Sequence, residues 1–167
     1  ASVSGFEEEI QRKVIKYARG FADEIYTDEI ADVVSIVNPD AEIKVMLSAH
    51  MDEIGFMVKH IDNNGFLRFH TLGGFDAKTL TAQRVIVHGK KDIIGVMGSK
   101  PIHIMTAEEK TKNVQISDFF IDLGLPYKEV IKLVTVGDVI TRDRQLIEMG
   151  ECVNCKSIDN RVSVYIL

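Results

Sequence analysis

A chain of 167 residues with 46% apolar side chains is long enough and apolar enough to bury a core. That excludes a disordered tail and suits one compact domain, or one domain carrying a smaller insertion. Lys plus Arg is 20 against 25 for Asp plus Glu, and the net charge of −5 is the wrong sign for a surface that neutralises nucleic-acid phosphates or anionic lipid.

No apolar run approaches the roughly 18 residues of a membrane span. The opening "ASVSGFEEE" has neither the basic nor the apolar region of a secretory signal. A cytoplasmic protein is expected, with no nucleic acid and no membrane among its partners.

In chain order the first element is a helix. Ser4 and Glu7 fit a capping box, and Glu7, Glu8 and Glu9 place negative charge where the helix dipole favours it. Phe6, Ile10, Val14, Phe21 and Ile25 recur at helical spacing, so a helix is predicted over residues 5–22. "DVVSIV" and "EIKVMLSAH" follow as strands around the turn signal "NPD". The second puts Ile43, Val45 and Leu47 on one face and Met46 and Ser48 on the other, the pattern of an inner strand in a covered sheet.

From Gly55 the texture changes to short β-rich runs, "GFMVKHI", "GFLRFHTL", "RVIVHG", "DIIGVMG" and "DVITRD", spaced as in an antiparallel barrel or sandwich. Asn63-Asn64-Gly65 predicts a hairpin turn, and one short helix is expected over Tyr127 to Leu133 after Pro126. The predicted fold class is α/β, with a first domain part over 1–56, an inserted β-rich domain over 57–147, and a return to the first domain over 148–167. The chain begins without methionine and stops inside the apolar run "VSVYIL" with no polar tail. Natural termini are usually polar and exposed, so a longer protein is expected, missing a little at the front and more at the back. Cys152 and Cys155 form a single C-x-x-C, too little for a zinc or redox motif, and read as small apolar residues in or near a strand.

The stretch "SAHMDEIGFMV", Ser48 to Val58, places His50, Asp52 and Glu53 inside the most apolar segment of the chain. Ionisable groups beside buried residues are costly unless paired or metal-bound. In an extended segment residues i and i+2 face the same way, so Asp52 can accept the second ring N–H of a metal-binding His50 and fix its tautomer. The same H-x-D also fits a histidine and acid paired in a core. Asp159 in "SIDNR" reads by itself as an ordinary helix N-cap.

The longer string is more specific. "SAHMDEIGFMV", "NNGFLRFHTLGGFDAKTL", "QRVIVHG", "GVMGSKPIH", "FFIDLG", "VGDVIT" and "SIDNRVSVY" together resemble the glutamyl aminopeptidase and tetrahedral aminopeptidase family of dinuclear zinc peptidases, in that family's order, from "SGFEEE" to the last residue. The resemblance implies part of a zinc-peptidase-like catalytic domain with an inserted small β-barrel that serves as a dimerisation domain. It makes His50 a ligand of one metal, Asp52 the carboxylate of the catalytic site that orients His50, and Asp159 the aspartate that bridges both metals.

Two divalent ions per complete chain follow, zinc or, as a substitute, cobalt. The resemblance puts the catalytic base, in a Glu-Glu pair, and the remaining ligands beyond Leu167, so the 167 residues alone are expected to be inactive. The implied substrates are peptides, and the implied assembly is a homo-oligomer in which dimers build a tetrahedral dodecamer. Asn160 stands where many members have a second aspartate, and Ala31-Asp32 where the family has Gly-Asn, which puts the local turn in doubt. His60, His70 and His88 lie in β segments and His103 in a loop or interface, with no role at the site. Glu53 resembles a general base, but the resemblance puts that function elsewhere.

Three readings compete. A metalloaminopeptidase requires the Glu-Glu pair and a late histidine. A non-catalytic assembly or regulatory module would keep only the dimerisation domain. An endoglucanase-type glycan hydrolase needs two carboxylates flanking the bond and no metal.

Overall fold

The computed structural model describes all of residues 1–167. In chain order it contains α1 (Glu8–Ala18), β1 (Glu24–Thr27), β2 (Val33–Ile36), β3 (Gly55–Ile61), β4 (Leu67–Leu72), β5 (Arg84–His88), β6 (Asp92–Gly98), α2 (Ala107–Thr111), β7 (Phe120–Asp122), α3 (Tyr127–Leu133), β8 (Val139–Arg142), β9 (Ile147–Met149), β10 (Cys152–Asn154) and α4 (Ile158–Ile166). The chain divides into two units. Residues 2–53 and 157–167 form a mixed α/β unit, and residues 54–156 form a β-rich one.

The β-rich unit is a closed barrel with strand order β3-β4-β7-β6-β5-β8, and its adjacent strands are antiparallel. Alternation explains it: Phe56 and Val58, Leu67 and Phe69, Val85 and Val87 point inward and are buried, together with Met97, Ile121 and Ile140. Phe56 stacks on Phe75 at 4.3 Å and meets Phe69 edge-on at 5.0 Å between ring centroids. Val130 of α3 and Val134 just after it complete this core.

The predicted hairpin joins β3 to β4. Asp62 accepts from the backbone of Asn64 and Phe66 through its side chain, and Gly65 N–H bonds Asp62 O at 2.9 Å. Gly65 has φ +91°, and an added Cβ would lie 3.0 Å from Leu125 O, so both conformation and space demand glycine. The predicted runs match β3, β4, β5, β6 and β8, and the helix over Tyr127 to Leu133 is α3. The three-residue β7 and the exposed β9–β10 hairpin carry too little alternation to be read in advance; Cys152 lies in β10, and both cysteines are free.

In the α/β unit two expectations are corrected. The first helix spans 8–18 instead of 5–22, and no capping box closes it. Glu7 accepts from Gly5 N–H at 2.8 Å, and the Ser4 hydroxyl is taken by Asp52. Phe21 falls in a turn and Ile25 in β1, which pairs with β2. The predicted inner strand over 42–50 is not a strand. It has no ladder partner in the chain, and Ile43, Val45, Met46 and Leu47 are 69–89% exposed. Alternation by itself does not make a strand, which also needs a ladder partner.

The β1–β2 turn, which the resemblance put in doubt, is closed by hydrogen bonds. Asp28 accepts from Ile30 N–H and Asp32 N–H, and Gln11 of α1 donates to Ala31 O at 2.7 Å. Ala31 sits in the left-handed region at φ 72°, where a Cβ is strained. Ala31→Gly is therefore expected to stabilise the protein by about 0.5–1 kcal/mol, the relief of left-handed strain less the added freedom of the unfolded chain. A shift of the urea midpoint to higher concentration checks this, and a lower midpoint contradicts it.

Candidate active site

Three segments of the α/β unit meet at the site: Ser2–Ser4, His50–Glu53 and the start of α4. Val3 forms a parallel bridge with Glu53, and Glu53 N–H donates to Ser2 O at 2.9 Å. That pairing draws the amino-terminal segment alongside the H-x-D stretch. The start of α4 is irregular: Ser157 is left-handed, and Asp159 and Asn160 are non-helical, joined by a cis peptide bond. Ser157, and not Asp159, stands at the N-cap position of α4.

The structure brings His50, Asp52 and Asp159 together. His50 Nδ1 lies 2.8 Å from Asp52 Oδ1, and Nε2 lies 3.4 Å from Asp159 Oδ1. Asp52 uses its other oxygen to accept from the Ser4 hydroxyl. The Ser4 bond, followed by the one to His50, holds the Asp52 carboxyl below its ordinary range, against partial burial. The same His50–Asp52 bond is the main cause that raises the imidazole above its ordinary range, with the Asp159 carboxylate adding to it.

With Asp52 accepting from Nδ1–H, the ring in its neutral form would turn its Nε2 lone pair toward Asp159. Zinc takes His nitrogen and carboxylate oxygen at about 2.0–2.1 Å, so two such donors at a tetrahedral angle lie about 3.3–3.4 Å apart. The observed 3.4 Å separation fits a shared divalent ion. No group of three or more His, Cys, Asp or Glu side chains is arranged to hold a metal; the pair offers one nitrogen and one oxygen, where zinc commonly takes four donors.

Glu53 is directed inward and is only 5% exposed in its side chain. It accepts from Ser2 Oγ at 3.1 Å, from Ser157 Oγ at 2.9 Å and from Arg161 at 3.4 Å. Arg161 also donates through Nε to Met51 O at 3.2 Å and closely to Ser2 Oγ. Sequence reasoning missed Ser2, Ser157 and Arg161 as partners. The available signal was a glutamate inside an apolar run, which needs a cation, and Arg161 as the one basic residue among 157–167.

The other histidines belong to the β-rich unit. His60 and His70 are exposed on barrel strands, and His103 is exposed in a 3-10 turn. His88 bonds Asp92 and Thr141 at 2.8 and 2.9 Å within the barrel.

The family model described as M42 glutamyl aminopeptidase matches residues 33–167. The chain spans about half the length of the curated relatives it matches: at 37% identity to a protein of Acetivibrio thermocellus named an aminopeptidase, it covers 95% of itself and 46% of that relative. Among solved structures, a TET aminopeptidase from the marine sediment archaeon Thaumarchaeota archaeon SCGC AB-539-E09 superposes with TM-score 0.92 at 33% identity, over 98% of this chain and 47% of that one. The TET1 peptidase of Pyrococcus horikoshii, which can assemble into a tetrahedron or a large octahedral shell, matches at TM-score 0.84 and 29% identity, over 98% and 50%. An endoglucanase of Thermotoga maritima matches at 0.79 and 28%, over 97% and 48%.

The buried pairing beneath the site yields a prediction about stability. Arg161→Ala removes the donor that links Glu53, Ser2 and Met51, and it leaves a carboxylate buried on fewer donors. The expected cost is about 2–3 kcal/mol, the scale of hydrogen bonds to charged groups. Hydrogen exchange at the Glu53 amide reports it as a matching loss of protection; unchanged exchange contradicts it.

Proposed function

Since the chain belongs to the M42 glutamyl aminopeptidase family, we propose that the complete protein is a metal-dependent aminopeptidase, a hydrolase that removes N-terminal amino acids from peptides at a dinuclear centre. The observation that carries this reading is the convergence of His50 Nε2 and Asp159 Oδ1 at 3.4 Å, with Asp52 on the far side of the same ring. The reading needs a catalytic base and further ligands that are not among these two donors.

His50 would hold one ion through Nε2, and Asp52 would keep the ring in the tautomer that leaves this nitrogen free. The Asp159 side chain is 97% exposed, so both of its oxygens are reachable and it can span two cations about 3.5–4 Å apart. When bound, the ions supply Lewis acidity toward the scissile carbonyl and toward water. Zinc is the metal proposed, with cobalt as a substitute, because a mixed nitrogen and oxygen donor set discriminates weakly between them. The negative charge of Asp159 beside the centre favours the free α-ammonium group of a peptide, which restricts action to chain ends. The setting we propose is cytoplasmic.

The proposal extends to assembly. The barrel would serve as the dimerisation domain of a homo-oligomer, with dimers building a tetrahedral dodecamer. Supporting this are the tetrahedral assembly of the Pyrococcus horikoshii relative and the exposure of Ile94 and Val96 on the outer wall of β6. The glycan-hydrolase alternative has the endoglucanase neighbour in its favour. Against it, Asp52 and Asp159 both point at His50 instead of standing free on two sides of a bond.

Three tests follow for the complete protein. Chelation is expected to abolish release of N-terminal residues from peptides, and zinc or cobalt to restore it. His50→Ala should lose at least one ion by elemental analysis together with activity; an active, fully metallated variant overturns the assignment. Asp52→Asn should retain metal at saturating concentration and lose about 10–100-fold in activity, the usual effect of removing the partner of a ligating histidine. Full activity in Asp52→Asn would remove its orienting role.

A further inference from the structure

His50 and Asp159 are exposed, 55% and 97% in their side chains, so packing against their own atoms does not set their separation. That separation must come from the backbone beneath them, and the backbone on both sides is tied to one buried group. Ser157 and Arg161, two residues before and two after Asp159, both reach Glu53. Arg161 also holds the carbonyl of Met51, the residue between His50 and Asp52. Ser2 bonds the same Glu53 oxygen as Arg161, in the segment whose Ser4 holds Asp52.

We propose that Glu53 is a positioning residue of the metal centre: its buried carboxylate, joined to Ser157, Arg161 and Ser2, fixes the distance between His50 and Asp159. This rests on the reading that His50 and Asp159 are metal donors. A group of the same size without the charge would fill the space. Only a carboxylate accepts from two hydroxyls and a guanidinium at once, and those three donors belong to the segments that must be held in register. The mechanism gives Glu53 no contact with substrate, so it acts through the segments it joins.

The test is metal binding by the complete, metal-stripped protein, titrated with Co²⁺ alone and followed by its visible absorption bands, with Zn²⁺ affinity measured by calorimetry. Glu53→Gln is expected to lower affinity by about 10–100-fold, as losses of supporting groups around a metal do, and to shift the cobalt bands because the donors no longer meet at the same distance. Ser157→Ala should shift the same bands with a smaller loss of affinity. Val85→Ala, in the barrel core, serves as the stability control and should keep the wild-type affinity and spectrum despite a lower melting temperature. Wild-type affinity and bands in Glu53→Gln, with binding abolished in His50→Ala, would overturn the positioning role and leave the metal reading intact. Undiminished binding of both ions in His50→Ala overturns the metal reading and this proposal with it. If Glu53→Gln does not fold, wild-type bands in Ser157→Ala overturn the proposal, as does a loss in Val85→Ala equal to that in Glu53→Gln.

Discussion

A carboxylate withdrawn from water must find donors, and the α/β unit is organised around satisfying one. Glu53 is buried with Ser2, Ser157 and Arg161 on its oxygens, and leaving such a charge unpaired would cost several kcal/mol. The demand is directional. The amino-terminal segment has to run beside residue 53, and the first turn of α4 has to present a hydroxyl and a guanidinium to it. His50, Asp52 and Asp159 are carried on the solvent side of the same segments. The polar interior beneath the site and the polar groups at its surface are thus two faces of one arrangement.

The β-rich unit solves a different problem by other means. Its core is almost wholly apolar, from Phe56 and Phe69 through Val85, Val87 and Ile140, and its strands close on themselves through the β3–β8 pairing. Charge plays a local part there. Asp62 and Asp76 serve turn amides, and Asp138 accepts from Thr135. Stability in this unit comes from area removed from water and from ladder bonds, with no buried ionic hub.

How much of this was legible in the sequence follows from the range of the interactions. Barrel strands were readable because alternation is local: Val85 and Val87 face inward in β5 whatever lies far along the chain. His50 and Asp52 were readable for the same reason, being two residues apart on an extended segment. Asp159 was not, since its approach to His50 joins positions 109 residues apart, and only the family resemblance pointed to it. Ser4 was misread as a helix cap because its true partner, Asp52, lies 48 residues away. The apolar alternation over 42–50 was real, but a strand is a relation between two segments, and alternation records only one of them. The glutamate hub was invisible for a similar reason, as it needed Ser2, Ser157 and Arg161 from both ends of the chain.

Closure of the barrel has a consequence for how this surface can recognise another. An open sheet offers its edge amides and carbonyls to any strand of suitable length, and such pairing is largely indifferent to sequence. A closed wall has its backbone partners already and presents outward side chains, such as Ile94 and Val96 of β6. Contact with this wall is therefore written in residue identity, so it can drift, sharpen or be lost by single substitutions while the ladder beneath stays unchanged.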